Sequence, residues 1–232
     1  MSNCADEIAN RGSKLCMQIC VNNRTNEINK GRISRLSRKE LLDKKIGLGQ
    51  ITWVSPLESE HFKEYSLNTL SLKNKKLLGI DDISFNKYWP SSQPQWDAIG
   101  LTKDGTIILV EAKAHPDEID ENGKNTTYAS GKSLELIKKR IKETFGVDDS
   151  VLHKKYYQLA NRYCFLNKLL NETKKVELIY LYFTNDVSYK PSSKAQYESY
   201  LDKGFRKEVV VPERLSKHTH IIYFDIWKDI GL

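Results

Sequence analysis

The run Thr106-Ile107-Ile108-Leu109-Val110-Glu111-Ala112-Lys113 constrains this chain more than any other stretch. It is β-branched and apolar on both faces, so it reads as a central strand covered on both sides. A strand of that kind needs a layer above and a layer below, which points to an α/β architecture. Asp104-Gly105 just before it is a turn signal, and Trp96 to Leu101 is a short, mostly apolar run. Together they predict a hairpin. Residues two apart on a strand share a face. Glu111 and Lys113 therefore emerge side by side from the end of a hydrophobic strand. Pairing across the turn brings Asp97 to the same end.

Two carboxylates and a lysine at one point suit a hard divalent cation, Mg²⁺ or Mn²⁺. Asp97 and Glu111 are the expected ligands, and the carbonyl of Ala112 between the charged residues could add another. A metal so held lowers the pKa of bound water and polarises a phosphoryl oxygen. Lys113 could orient the attacking water, deprotonate it or stabilise charge on phosphate. The base role requires a lowered pKa, because a free lysine is protonated at neutral pH. The alternative for the same residues is a buried Glu–Lys pair with a turn-capping Asp.

Asp97 with Glu111-Ala112-Lys113 across a hairpin resembles the PD-(D/E)XK nuclease superfamily. The wider string is Tyr88-Trp89-Pro90, Gln95-Trp96-Asp97-Ala98, Val110 to His115 and Glu118, with Tyr156 to Arg162 later. It is similar to a bacterial branch of that superfamily, from Ser55 to Phe224. The resemblance implies a restriction-endonuclease-like core, a central mixed β-sheet flanked by helices. It implies an acidic residue from a helix before the hairpin, for which Glu64 is chosen over Glu60 and over Glu58, a capping residue. It also implies a glutamine and a further residue four on from a later helix. Gln158 and Arg162 match those places, with arginine where tyrosine is common. Gln95-Trp96 precedes Asp97 where the superfamily's name has proline.

The 232 residues can bury a proper core, and their net charge of +7 favours an acidic partner. Nucleic acid, DNA before RNA, is the expected one; a lysine-rich surface without such a role is the alternative. A homodimer or a place in a larger complex is compatible with the sequence. Cys4, Cys16, Cys20 and Cys164 have no zinc-site spacing and read as reduced thiols of a cytoplasmic protein. No apolar run reaches membrane-spanning length, and charged residues interrupt any signal-peptide core.

Residues 1–50 read as a helical, basic segment packing on a nuclease-like domain of residues 51–232. Ile8, Leu15, Cys16, Ile19 and Cys20 have near-helical spacing. Arg24, Lys30, Arg32, Arg35, Arg38, Lys39, Lys44 and Lys45 follow, either as a solvated face or as a basic arm against phosphates. Ser37 with Glu40 predicts a capped helix start, and Gly47 an end. Ser55-Pro56-Leu57-Glu58 predicts another helix, running to Lys73. A first strand is expected within Ile80–Trp89. Trp89 and Trp96 either pack in the core or stack on bases. His115 could share the Lys113 face and contact phosphate. Residues 117–131 read as a loop at the mouth of the site. Helices are expected over Ser133–Phe145, His153–Asn171 and Ser192–Leu201, and strands over Lys175–Thr184 and His220–Trp227. On helix 153–171, Gln158 and Arg162 share a face; Gln158 could orient Lys113 and Arg162 could bind phosphate. The expected function is a Mg²⁺-dependent nuclease, in restriction, repair or phage defence. Its rivals are a non-catalytic nucleic-acid-binding protein and a partner-dependent subunit of a defence complex.

Overall fold

The computed structural model describes residues 8–22, 37–91, 93–119, 127, 129–147 and 150–227. Five strands form one mixed sheet in chain order: β1 (Ile51–Ser55), β2 (Ala98–Thr102), β3 (Ile107–Lys113), β4 (Val176–Phe183) and β5 (Thr219–Phe224). β2 is antiparallel to both β1 and β3, and β3, β4 and β5 run parallel. Helices cover both faces, so the chain is an α/β protein.

The two faces follow from the period of two. Ile107 and Leu109 belong to one core and Ile108, Val110 and Ala112 to the other. The first core is closed by α4 (Gly131–Phe145), α6 (Tyr157–Asn171) and α7 (Lys194–Lys203), the second by α1 (Gly12–Asn22) and α2 (Arg38–Ile46). Cys16, Met17, Ile19 and Cys20 of α1 are essentially inaccessible. The N-terminal segment thus supplies the helices of one layer of the sandwich. Its residues 23–36 lie outside the described residues. Arg38, expected on a basic face, is fully buried.

Local signals are met at several ends. Ser37 accepts from Glu40 N while the Glu40 carboxylate accepts from Ser37 N, a reciprocal capping box, and Gly47 closes α2 in the left-handed region at φ 78°. Gly105 takes φ 84° in the β2–β3 turn. Gly100 is needed for another reason: a Cβ there would stand 2.5 Å from Cγ2 of Ile51 and 3.1 Å from the Trp53 ring.

Other expectations fail. The helix from Ser55 to Lys73 is not formed. Ser55 is instead the buried end of β1, paired with Ile99. A single 3₁₀ turn spans Glu58–Glu60, and His61 and Phe62 both adopt φ 55°, which stops a right-handed helix. Between Ser55 and Lys73 the α-helical residues are those at the start of α3 (Leu72–Leu77), capped by Ser71. The left-handed backbone at His61 and Phe62, not the pairing of β1, ends the turn that the Ser-Pro-x-Glu signal begins. Residues 80–89 form turns rather than a strand, with Tyr88 N and Trp89 N both donating to Phe85 O. Ile80, Phe85 and Trp89 still bury their side chains in the first core. The helix expected from His153 is divided into α5 (Ser150–Lys154) and α6. Two short helices, α8 (Phe205–Glu208) and α9 (Glu213–Ser216), precede β5, which ends at Phe224 rather than Trp227.

Candidate active site

The parallel strands β3 and β4 end at one edge of the sheet, and β2, antiparallel to β3, begins there. Crevices outside the carboxyl ends of strands are the usual ligand sites of open α/β sheets. The register Ala98↔Val110, continued by one residue, sets Asp97 opposite Glu111. Asp97 N donates to Val110 O at 3.2 Å, and Asp97 Oδ2 accepts from Ala112 N at 2.7 Å. A strand residue's N–H and C=O point to the same edge. The Ala112 carbonyl therefore faces the Asp97 side as well.

Glu111 and Lys113 continue the face of Ile107 and Leu109, the side covered by α6. Glu111 is 2% exposed and sits between two cations. Its Oε1 accepts from Lys113 Nζ at 2.5 Å and its Oε2 from Arg162 Nε at 2.6 Å. Arg162 also donates to Gln95 O at 2.8 Å and to Asn161 Oδ1 at 3.0 Å, and it lies 4.7 Å over the Trp96 ring. Arg162 is therefore a ligand of Glu111 rather than a free bidentate phosphate binder. Trp89 and Trp96 are both fully buried, so neither offers a face to a base. The Tyr197 hydroxyl on α7 donates to Phe183 O at 3.0 Å and stands 3.3 Å from Lys113 O. It ties the ends of β3 and β4 together.

A cleft of about 430 Å³ opens at this edge. Asp97, Glu111, Ala112, Lys113, Glu64, Gln158 and Arg162 all line it. Glu64 arrives on an extended segment rather than a helix: Tyr65 bridges to Trp96, whose N–H donates to Tyr65 O at 3.0 Å. Lys14 stands 3.9 Å from its carboxylate. Glu58 and Glu60 are not among the lining residues. Nor is His115, whose Nδ1 accepts from Asp117 N at 3.1 Å while its ring abuts Tyr189. Of the loop expected at the mouth, residues 120–126 and 128 lie outside the described residues. Cys4 lies there too; Cys16, Cys20 and Cys164 are free and buried.

Ser13, Tyr157 and Asn161 complete much of the lining without having been expected there. Asn161 had a legible signal, since it lies three residues after Gln158 on the same helix face. Ser13 had none, because only the packing of α1 brings it to this edge. Glu118 accepts from Ala114 N and from Ser13 Oγ, each at 3.3 Å, and so fastens α1 to the end of β3.

The electrostatics are unbalanced. Burial, then the neighbouring charges of Glu111 and Glu64, push the Asp97 carboxyl up to about 8, against the pull of Lys113 and of the Ala112 N–H. Burial also pushes Glu111 up, but Arg162 and then Lys113 outweigh it and hold that carboxyl below its ordinary value. Burial opposes the Lys113 ammonium, yet Glu111 and Asp97 more than compensate and raise its pKa. Lys113 is thus held protonated, which suits orientation and charge stabilisation rather than base work. Asp97, Glu111 and Glu64 face Lys113, Arg162 and Lys14, and a cation beside Asp97 would favour the ionised form of its carboxyl.

Those donors fit a hard cation on chemical grounds: two carboxylates and one strand carbonyl, with the rest left to water and substrate oxygen. They do not fit a closed site of the zinc type. Among the described residues no three His, Cys, Asp or Glu side chains converge as a metal-holding group. Compared with protein-family models, curated proteins and solved structures, the chain matches none.

Proposed function

We propose that this protein is a metal-dependent phosphodiesterase, a nuclease acting most readily on DNA, built on a restriction-endonuclease-like core. The observation that carries the reading is the placement of Asp97 opposite Glu111 at the open end of the central hairpin, with the Lys113 ammonium beside them. A bound Mg²⁺ or Mn²⁺ would acidify a water and draw charge from a phosphoryl oxygen. Asp97, Glu111 and the Ala112 carbonyl are the groups to hold it. Lys113, protonated, orients the attacking water or steadies the charge gathering on phosphate. Gln158 and Glu64, which also line the cleft, would position the strand and a water. Arg162 acts through Glu111 by fixing its carboxylate. The net positive charge supports an anionic polymer as substrate. The buried, unpaired thiols agree with a reducing compartment such as the cytoplasm. No helix among the described residues is long and apolar enough to cross a membrane.

Cleavage of supercoiled and linear DNA with Mg²⁺, Mn²⁺ or EDTA tests the reading. Metal-dependent cutting by the wild type, lost in Asp97→Ala and Lys113→Ala with folding intact, is the expected result. Cutting that survives both substitutions refutes the site.

One observation favours a second reading. Both Glu111 oxygens are already engaged, by Lys113 and by Arg162. A non-catalytic nucleic-acid-binding protein would keep such a network for structure alone. That reading requires DNA binding that is indifferent to metal, with no cutting under any cation.

A further inference from the structure

The two outer strands of the sheet are β1 and β5, and the chain treats their free edges differently. At β1 the outward groups of Ile51 are occupied. Its N–H donates to Asp43 Oδ2 at 3.1 Å, and its C=O accepts from Lys39 Nζ at 2.7 Å. Charged side chains on an edge are a common defence against pairing with another chain. Among the described residues β5 has no such cover. Leu178 N donates to His218 O at 2.8 Å and Thr184 N to Phe224 O at 3.0 Å. A strand residue's N–H and C=O share one edge, and that edge alternates along the strand. His218, His220, Ile222 and Phe224 therefore turn their peptide groups to β4, while Thr219, Ile221 and Tyr223 turn theirs outward. No described residue hydrogen-bonds those outward N–H and C=O groups.

β5 carries no Lys, Arg, Asp, Glu or Pro, the residues that usually blunt an edge. Ile221, at its middle, is 39% exposed. An antiparallel copy of the same strand completes the row best in one register. With Ile221 opposite Ile221, Thr219 faces Tyr223 and Tyr223 faces Thr219. Every outward residue then exchanges both its N–H and its C=O, and any other register loses a pair. The facing side chains are β-branched or aromatic, and no like charges stand opposite each other within the strand. Just beyond the strand ends, the same register carries Lys217 of each copy toward Asp225 of the other. Lys217 is an exposed surface residue, 2.9 Å from Glu213, and Asp225 accepts from Asn185 Nδ2 at 2.6 Å. The charges that meet are therefore opposite on both sides of the axis.

We propose that this protein forms a twofold dimer through its β5 edges, an antiparallel β5–β5 pair that joins the two sheets into one. The partner is a second copy because the edge complements itself, in hydrogen bonding and in charge, as an isologous contact requires. The proposal does not rest on the nuclease reading. The clefts lie at the carboxyl ends of β3 and β4, so in the dimer they open at opposite ends of the joined sheet. Pairing completes neither of them.

Sedimentation velocity over a concentration series should show a monomer–dimer equilibrium. Ile221→Lys sets like charges opposite each other at the axis and leaves the β4 ladder intact, so it should abolish the dimer. Lys217→Glu reverses the charge that meets Asp225 and should weaken it. Circular dichroism of each variant checks folding. Hydrogen exchange adds a readout that needs no substitution. The amides of Thr219, Ile221 and Tyr223 should exchange slowly at high concentration and fast on dilution. Those of His220 and Ile222, bonded to β4, should stay slow at both. A monomer at every concentration, or a dimer that either substitution leaves unchanged, overturns the proposal. Slow exchange of the outward amides in a monomer overturns it too, because a segment of the same chain would then lie on the edge.

Discussion

Arg162 on α6 and Glu111 on β3 are bound side chain to side chain, with Nε 2.6 Å and Nη2 2.5 Å from the same Oε2. Both are nearly inaccessible. This contact joins the helix layer to the central strand at the point where the cleft opens. It leaves Oε1 to Lys113, so the geometry of the lysine depends on the arginine.

Removing the arginine leaves a buried carboxylate with one partner. Arg162→Ala should lower the unfolding free energy by about 3–5 kcal/mol, read from urea denaturation. A loss below about 1 kcal/mol, the scale of an exposed pair, would show that the network contributes little.

Asp97 makes stability depend on pH. Its carboxyl, which ordinarily titrates near 4, is pushed up to about 8 by burial and by Glu111 and Glu64. Between those values the folded chain binds a proton that the unfolded chain has lost. The metal-free protein should therefore lose stability as pH rises through that window. Asp97→Asn has no proton to lose and should lack this decline. Thermal melts in EDTA across the window check it; a wild type that declines no more than the asparagine variant contradicts the raised pKa.

Divalent cation should reverse that trend. Holding a cation requires ionised Asp97, so binding releases a proton below about pH 8 and tightens as pH rises. Calorimetry in two buffers of different ionisation heat measures the proton directly. Binding with no proton release would place the cation away from Asp97.

Lys113 should matter to rate more than to metal. Lys113→Ala removes the ammonium from Glu111 Oε1 and leaves both carboxylates in place. Cleavage should fall by about 10²–10³-fold while Mn²⁺ affinity holds or improves. Metal affinity lost in parallel with cleavage would argue that the lysine only supports the fold.

Gly100 should tolerate no methyl group. A Cβ at 2.5 Å from Ile51 Cγ2 must displace β1 or its side chains. Gly100→Ala should cost about 1–3 kcal/mol, measured by the same denaturation; an unchanged midpoint would mean that β1 yields freely.

The elements that could be read from the sequence are those with local causes. The apolar run of β3, the Asp-Gly turn and the Ser37–Glu40 box each involve residues within a few positions of one another, and each forms as read. The period of two alone puts Glu111 and Lys113 on one face. The Ser-Pro-x-Glu signal at 55–58 is equally local, yet it yields only a single 3₁₀ turn, because His61 and Phe62 take the left-handed region just after it.

What this sequence determined by itself is the central strand, the hairpin and the convergence of Asp97, Glu111 and Lys113 at its open end, since strand period and turn chemistry are properties of neighbours in the chain. Tertiary structure alone decided that Arg162 serves Glu111 instead of phosphate, that Glu64 enters on an extended segment, that α1 seals the second face and carries Ser13 to the cleft, and that His115 turns toward Tyr189. Each of those outcomes depends on which distant charge or surface is nearest after the layers pack. Charge pairing and desolvation are set by that proximity, and proximity across 51 positions, as between Glu111 and Arg162, exists only in the folded chain.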